Sequence, residues 1–230
     1  MKELHNSQLR LRKTIGILGL ALPILLLAIH QHLLASMSHY YYTSASVFFI
    51  GILSAFGLVL FSYKGYPIEK EKGEKVSDDT ITTLASFFIF FTILLPTNCD
   101  GAMGPIRFCD CGYLFGHHTN WMGTVHLISA GLFLALLGIM CVFKFPMGNI
   151  SDRKKNFYKV CGYTIWGSIA LIGILFGIEK ITGKDLNDYL PGYTFFLEWV
   201  AVWAFAIAWL VKGRIEEVRL LFDKSASKIS

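Results

Sequence analysis

Read in windows of about 19 residues, the chain shows six apolar runs, at about 14–35, 42–63, 80–96, 121–143, 158–179 and 194–211, separated by shorter polar stretches. A helix needs about 20 apolar residues to cross the hydrocarbon of a bilayer, so each run is long enough, or nearly so, to cross. The run at 80–96 is the shortest; Asp78 and Asp79 offer capping side chains ahead of it, and Pro96 ends it as a helix-stopping residue should. Pro23 removes one backbone donor inside the first run, which predicts a kink and not a break. No repeat of fixed period appears, and six crossings use about 120 positions, which leaves no room for a soluble catalytic domain. The pattern predicts an all-α polytopic bundle of six transmembrane helices, one integral membrane domain over residues 1–230. Gly173 and Gly177 form a small-xxx-small pair in the fifth run, a spacing that lets two helices approach or that arises by chance among 21 glycines.

Composition agrees: 54% of residues are hydrophobic and only 16% charged, where soluble domains carry roughly a quarter. The net charge of +5 does not indicate nucleic acid, because the basic residues fall in the gaps between runs and not on one face. Their placement sets the direction instead, since Lys and Arg resist translocation. All but three of the 21 Lys and Arg fall on the side of the chain termini; the exceptions are Arg107, Lys180 and Lys184. Both termini are therefore expected in the cytoplasm. The first run is too long, and lacks the small-residue pattern, for a cleavable signal peptide.

With that direction, every His except His5 lies in or near the outer half: His30, His32, His39, His117, His118 and His126. Two carboxylates lie within the runs, Glu179 at the outer end of the fifth and Glu198 about one turn into the sixth. Charge at that depth costs several kcal/mol unless paired or hydrated, so such a carboxylate is a functional candidate by default. At about 1.5 Å per residue, His126 and Glu198 each lie roughly 6–8 Å below the outer end of their helix, a depth at which they can meet. Asp100, His117, His118 and the turn Ser36-Met37-Ser38-His39 can join them in one outward cavity. His118, His126, His39 and Asp100 are the candidate ligands of a zinc ion, with Glu198 as general base and Ser38 or Tyr41 steadying an oxyanion. The competing reading is a hydrogen-bonded structural or proton-handling network, and no H-x-x-x-H spacing decides between them.

Tyr40, Tyr41 and Tyr42 suit the headgroup belt, apolar ring inward and hydroxyl outward. The outer loop carries Cys99, Cys109 and Cys111. In an oxidising space Cys99 would pair with one of the other two, closing a loop of about ten residues for about 2–3 kcal/mol; a structural zinc or free thiols are the alternatives. Cys141 and Cys161 read as small buried hydrophobes, the mixed-charge segment 64–79 as a solvated connector, and the tail after Lys212 as an amphipathic surface helix. There is no Gly-rich phosphate loop and no G-x-S-x-G elbow.

The segment Ser36-Met-Ser-His-Tyr-Tyr-Tyr-Thr43, then Phe61-Ser-Tyr-Lys-Gly-Tyr66, and later Phe196-Leu-Glu-Trp-Val-Ala-Val-Trp-Ala-Phe205 with Trp209-Leu-Val-Lys-Gly213, resembles a group of uncharacterised bacterial six-span membrane proteins along most of the chain. That resemblance implies a multi-pass protein of the bacterial inner membrane and no activity. Ser, Asp and His around one embedded site are similar, more distantly, to the CREST superfamily of membrane hydrolases. It implies zinc-dependent lipid amide hydrolysis, although this chain has six runs where that superfamily has seven spans, and Glu198 stands alone in the last run without an H-x-x-x-H. Two functions follow as expectations: a metal-dependent hydrolase of a lipid or other amphiphile, or a non-enzymatic lipid-binding, sensory or transport protein.

Overall fold

A computed structural model describes residues 2–65, 68, 74–99, 101–106, 120–148 and 150–226, with side chains described from residue 10 to 213, apart from that of residue 120. The described residues are helical and contain no strand. Six helices run α1 (Lys2–His30), α2 (Ser46–Ser62), α3 (Asp78–Leu94), α4 (Asn120–Ile139), α5 (Asp152–Thr182) and α6 (Tyr193–Ala226). Each packs on the next in sequence and α6 returns to α1, so the six close into a ring. Stretches of α1, α5 and α6, and α4 together with the turn that follows it, are long and apolar enough to cross a membrane. Helices α2 and α3 have 17 residues each, about 25 Å of rise.

The ring closes where small residues let backbones approach. A Cβ on Gly16 would lie 2.3 Å from Leu210 Cγ, and one on Gly19 would lie 2.9 Å from Ala206 Cβ, so α1 seats against α6 only with glycine there. Of the two readings of Gly173 and Gly177, close approach or chance, the described residues show no close approach: neither has a heavy atom of a neighbouring element within 4 Å of its Cβ position. Pro23 lies inside α1, which remains one helix from Lys2 to His30. The tail continues α6 to Ala226.

At the end that carries the chain termini, α4 finishes in a π-helical turn, Met140–Lys144. Lys144 is buried there between Glu74 and Asp78, ion-paired to the first and 3.6 Å from the second, and it donates to the Val76 carbonyl at 2.5 Å. The connector is therefore not wholly solvated, because Glu74 and Asp78 are drawn in by a buried ammonium that needs partners. The cap of α3 also differs from expectation. Ser77 takes that role, its Oγ accepting the Thr80 N–H at 3.0 Å, which leaves Asp78 for Lys144. Beside this clamp, the Arg12 guanidinium donates to Tyr63 Oη at 2.9 Å and stacks 4.9 Å from the Tyr63 ring. Tyr63, Phe145 and Phe205 surround the buried Trp209, and Lys212 donates to the Phe145 carbonyl at 3.0 Å.

A buried serine–histidine pair at the far end

At the opposite end the chain departs from the simple alternation of runs. Helix α1 stops at His30, Gln31 turns with a left-handed φ of 61°, and residues Met37–Tyr42 form a 3₁₀ turn buried inside the ring before α2 begins at Ser46. Irregular backbone buried away from water needs protein groups to satisfy its donors and acceptors, and here they do. Tyr40 Oη donates to the His32 carbonyl at 2.9 Å, and Tyr42 Oη donates to the Thr97 carbonyl at 2.5 Å. The Ala35 N–H reaches the Ala102 carbonyl, and the Phe195 N–H reaches the Ala35 carbonyl. Glu198 Oε2 accepts the Met37 N–H at 2.7 Å. The tyrosines are thus not a headgroup belt. Tyr40, Tyr41 and Tyr42 are at most 1% exposed, and at least two serve as internal donors to backbone carbonyls.

The turn carries Ser36, Ser38 and His39 to one place. Ser36 caps it: its N–H donates to His39 Nδ1 at 3.2 Å, and the His39 N–H donates back to the Ser36 carbonyl at 3.3 Å. An N–H can only donate, so Nδ1 of His39 is the acceptor and Nε2 carries the proton. Burial, and then the neighbouring His126, push His39 down to about 4, partly offset by the Asn98 carbonyl.

His126 has the opposite tautomer. Its Nδ1 lies 2.9 Å from both the Thr92 and the Leu95 carbonyls, and two acceptors require a proton on Nδ1. The origin of this contact is Pro96. The Thr92 carbonyl would ordinarily accept the N–H four residues on, but Pro96 has none, and the imidazole takes its place. Nε2 of His126 is then a lone pair, 2.8 Å from Ser38 Oγ, whose hydrogen it receives. Ser38 and His126 are 7% and 3% exposed.

Both line a cavity of about 640 Å³ together with His39, Asn98, Thr124, Glu179 and Glu198. Gly123 keeps one wall open, since a Cβ there would lie 2.3 Å from Asn98 Oδ1. His126 and Glu198 thus share one cavity, although each is bonded to the buried turn and not to the other. Tyr41 is not among the lining residues; its ring packs edge-on against Tyr42 at 5.1 Å. Asp100, Cys109, Cys111, His117 and His118 lie outside the described residues. Cys99 is buried and disulfide-bonded, with its partner also outside them, while Cys141 and Cys161 are buried free thiols.

Among the described residues no three His, Cys, Asp or Glu side chains gather as a metal site. Of the expected zinc ligands that are described, His126 has Nδ1 on two carbonyls and Nε2 on Ser38, and His39 has its lone pair on the Ser36 N–H. Neither presents an uncommitted lone pair in this arrangement. Sequence reading placed Ser38 as an oxyanion partner and missed its bond to His126, which joins residues 88 positions apart. No family model matches the chain, and no match is found among curated proteins or solved structures.

Proposed function

We propose that the protein is a six-span inner-membrane protein with both termini in the cytoplasm, and that it hydrolyses an ester of a membrane amphiphile in its outward cavity, with Ser38 as nucleophile. The short helices α2 and α3 reach across with their flanking residues, and the excess of Lys and Arg at the terminal end supports the direction. The observation that carries the catalytic reading is the 2.8 Å contact from Ser38 Oγ to a His126 whose other nitrogen is held by two carbonyls. A base oriented by a third group is the general arrangement that activates a serine.

In this reading Ser38 Oγ attacks the ester carbonyl carbon and its proton passes to His126 Nε2. The tetrahedral intermediate collapses, the ester C–O bond breaks, and the alcohol leaves with the proton from Nε2. Water then gives its proton to Nε2 and its oxygen to the acyl carbon; Ser38 Oγ departs and recovers the proton. Ester and water become acid and alcohol. The Thr92 and Leu95 carbonyls stabilise the imidazolium, and Glu198 is a positioning residue that holds the Met37 N–H next to the nucleophile. This role for Ser38 replaces zinc with a residue already activated, and it assigns Glu198 no proton transfer.

A fluorophosphonate probe, which labels activated serines, tests the reading on the purified protein in detergent. Stoichiometric labelling is expected, lost in Ser38→Ala and slowed about 10²–10⁴-fold in His126→Ala, the usual contribution of a general base. Absence of labelling in a folded wild-type protein overturns it, leaving the cavity as a binding site.

A further inference from the structure

The rim of the cavity carries a charge pattern that the reaction itself does not use. Among the described residues Lys180 and Lys184 line the cavity, and no other Lys or Arg does. Lys180 is in the last turn of α5, and Gly183, with a φ of 66°, caps the helix through its N–H on the Glu179 carbonyl at 2.8 Å. That reversal brings Lys184 back to the same rim. Two carboxylates stand beside the lysines, but both are committed to the loop. Glu179 Oε1 accepts the Leu186 N–H at 2.9 Å, and Asp185 Oδ1 accepts the Asn187 N–H and side-chain amide, each at 2.9 Å. Among the described residues neither lysine makes a salt bridge, and both side chains are exposed.

The rest of the lining has the complementary character. Leu127, Ala130 and Phe176 give the cavity an apolar wall. Outside it, Ile174, Ile178 and Ile181 are 59%, 40% and 86% exposed along α5, a flank suited to acyl chains and not to water. An amphiphile entering along this flank would meet hydrocarbon first and two ammonium groups at the mouth.

We propose that Lys180 and Lys184 bind the phosphate of a net-anionic phospholipid headgroup and so select anionic amphiphiles for the cavity. The proposal rests on the cavity opening to the membrane, and its test does not depend on turnover. A headgroup that carries its own cation brings a positive charge to the same two lysines and is disfavoured.

Binding is measured on the full-length Ser38→Ala protein in uncharged detergent, with short-chain dihexanoylphosphatidylglycerol and dihexanoylphosphatidylcholine as the probes. The anionic lipid is expected to bind about 10-fold more tightly, and Lys180→Gln/Lys184→Gln to bring the two within about 2-fold. Inorganic phosphate alone is the third probe: it is expected to compete only weakly, lacking the apolar contacts. Equal binding of both lipids, a preference that survives the double substitution, or inorganic phosphate binding as tightly as the anionic lipid each overturns the proposal. If fluorophosphonate labelling fails while the anionic preference and its loss are observed, the hydrolase reading falls and the headgroup site stands.

Discussion

At the end of the bundle that carries the termini, buried polarity is handled with full charges. Lys144 sits among Glu74, Asp78 and the Val76 carbonyl, and an aromatic cluster around Trp209 packs against this clamp. At the other end no buried cation is used: apart from the Glu198 carboxylate, the buried polar groups are neutral. Two imidazoles of opposite tautomer, a serine pair, phenols on carbonyls and one carboxylate on an amide surround a cavity of about 640 Å³. Ion pairs at low dielectric are strong but rigid, and each charge depends on its partner. Neutral networks keep lone pairs in place at lower electrostatic cost, which is what a general base requires. The difference is one of kind: one end ties helices together through charge, and the other holds hydroxyl and imidazole groups around a cavity.

The comparison breaks most readily at Lys144. Lys144→Met keeps the stem but removes the buried ammonium that faces Glu74 and Asp78, and removal of one member of a buried pair costs about 3–5 kcal/mol. Thermal unfolding in detergent should show that loss, while fluorophosphonate labelling of the remaining folded protein stays at the wild-type rate. A loss below about 1 kcal/mol would mean that the charged end does not hold the bundle.

His39 provides the matching test at the neutral end. Its folded value is pushed to about 4 from an ordinary 6.5, so the unfolded chain gains a proton at a pH where the folded chain does not. Stability from this group is intact above pH 6.5, falls as the pH drops from 6.5 to 4, and the full loss is about 3 kcal/mol. His39→Asn keeps an acceptor for the Ser36 N–H and cannot titrate, so its unfolding midpoint should decline less than that of the wild type across this window. Parallel pH curves for the two proteins would remove His39 from the account.

The charged end was partly legible in the sequence, and the neutral end much less. The apolar runs located the six helices because the hydropathy is spread over nearly every residue of a run and not confined to one face. The run 14–35 extends five residues past the end of α1 at His30, and the first residue of the next run, Tyr42, belongs to the buried turn Met37–Tyr42, whose tyrosines are as apolar as a helix. Tyr40-Tyr41-Tyr42 suits either a headgroup or a protein interior; the choice was made by the carbonyls of His32 and Thr97, and the second is 55 residues away. Pro96 announced an orphaned carbonyl on Thr92, but nothing in its neighbourhood said that His126 would supply the missing donor. Glu198 was visible as an embedded acid, whereas its partner, a backbone N–H 161 residues earlier, has no sequence signature.

Glu198→Gln sharpens the positioning role. Gln retains an acceptor oxygen for the Met37 N–H, so the cost is that of exchanging a charge-assisted bond for a neutral one, about 1 kcal/mol. Labelling of Ser38 should slow by less than about 10-fold, far less than in His126→Ala. A loss as large as that of His126→Ala would make Glu198 a participant in proton transfer.

The smallest effects are expected on the helix face that serves neither end. Gly173 and Gly177 have open space at their Cβ positions, and Ala is a better helix former than Gly by about 0.8–1.0 kcal/mol. Gly173→Ala and Gly177→Ala should therefore leave stability unchanged or raise it slightly. Gly138 is the contrast within the same pair of helices. A Cβ there would lie 2.1 Å from Trp166 Nε1, which donates to the Ala135 carbonyl at 3.1 Å, so Gly138→Ala must displace an indole that fixes α4 to α5 and should cost about 1–3 kcal/mol. Destabilisation by Gly173→Ala comparable to that of Gly138→Ala would show that a partner helix, from a second copy or another chain, occupies the open face of α5.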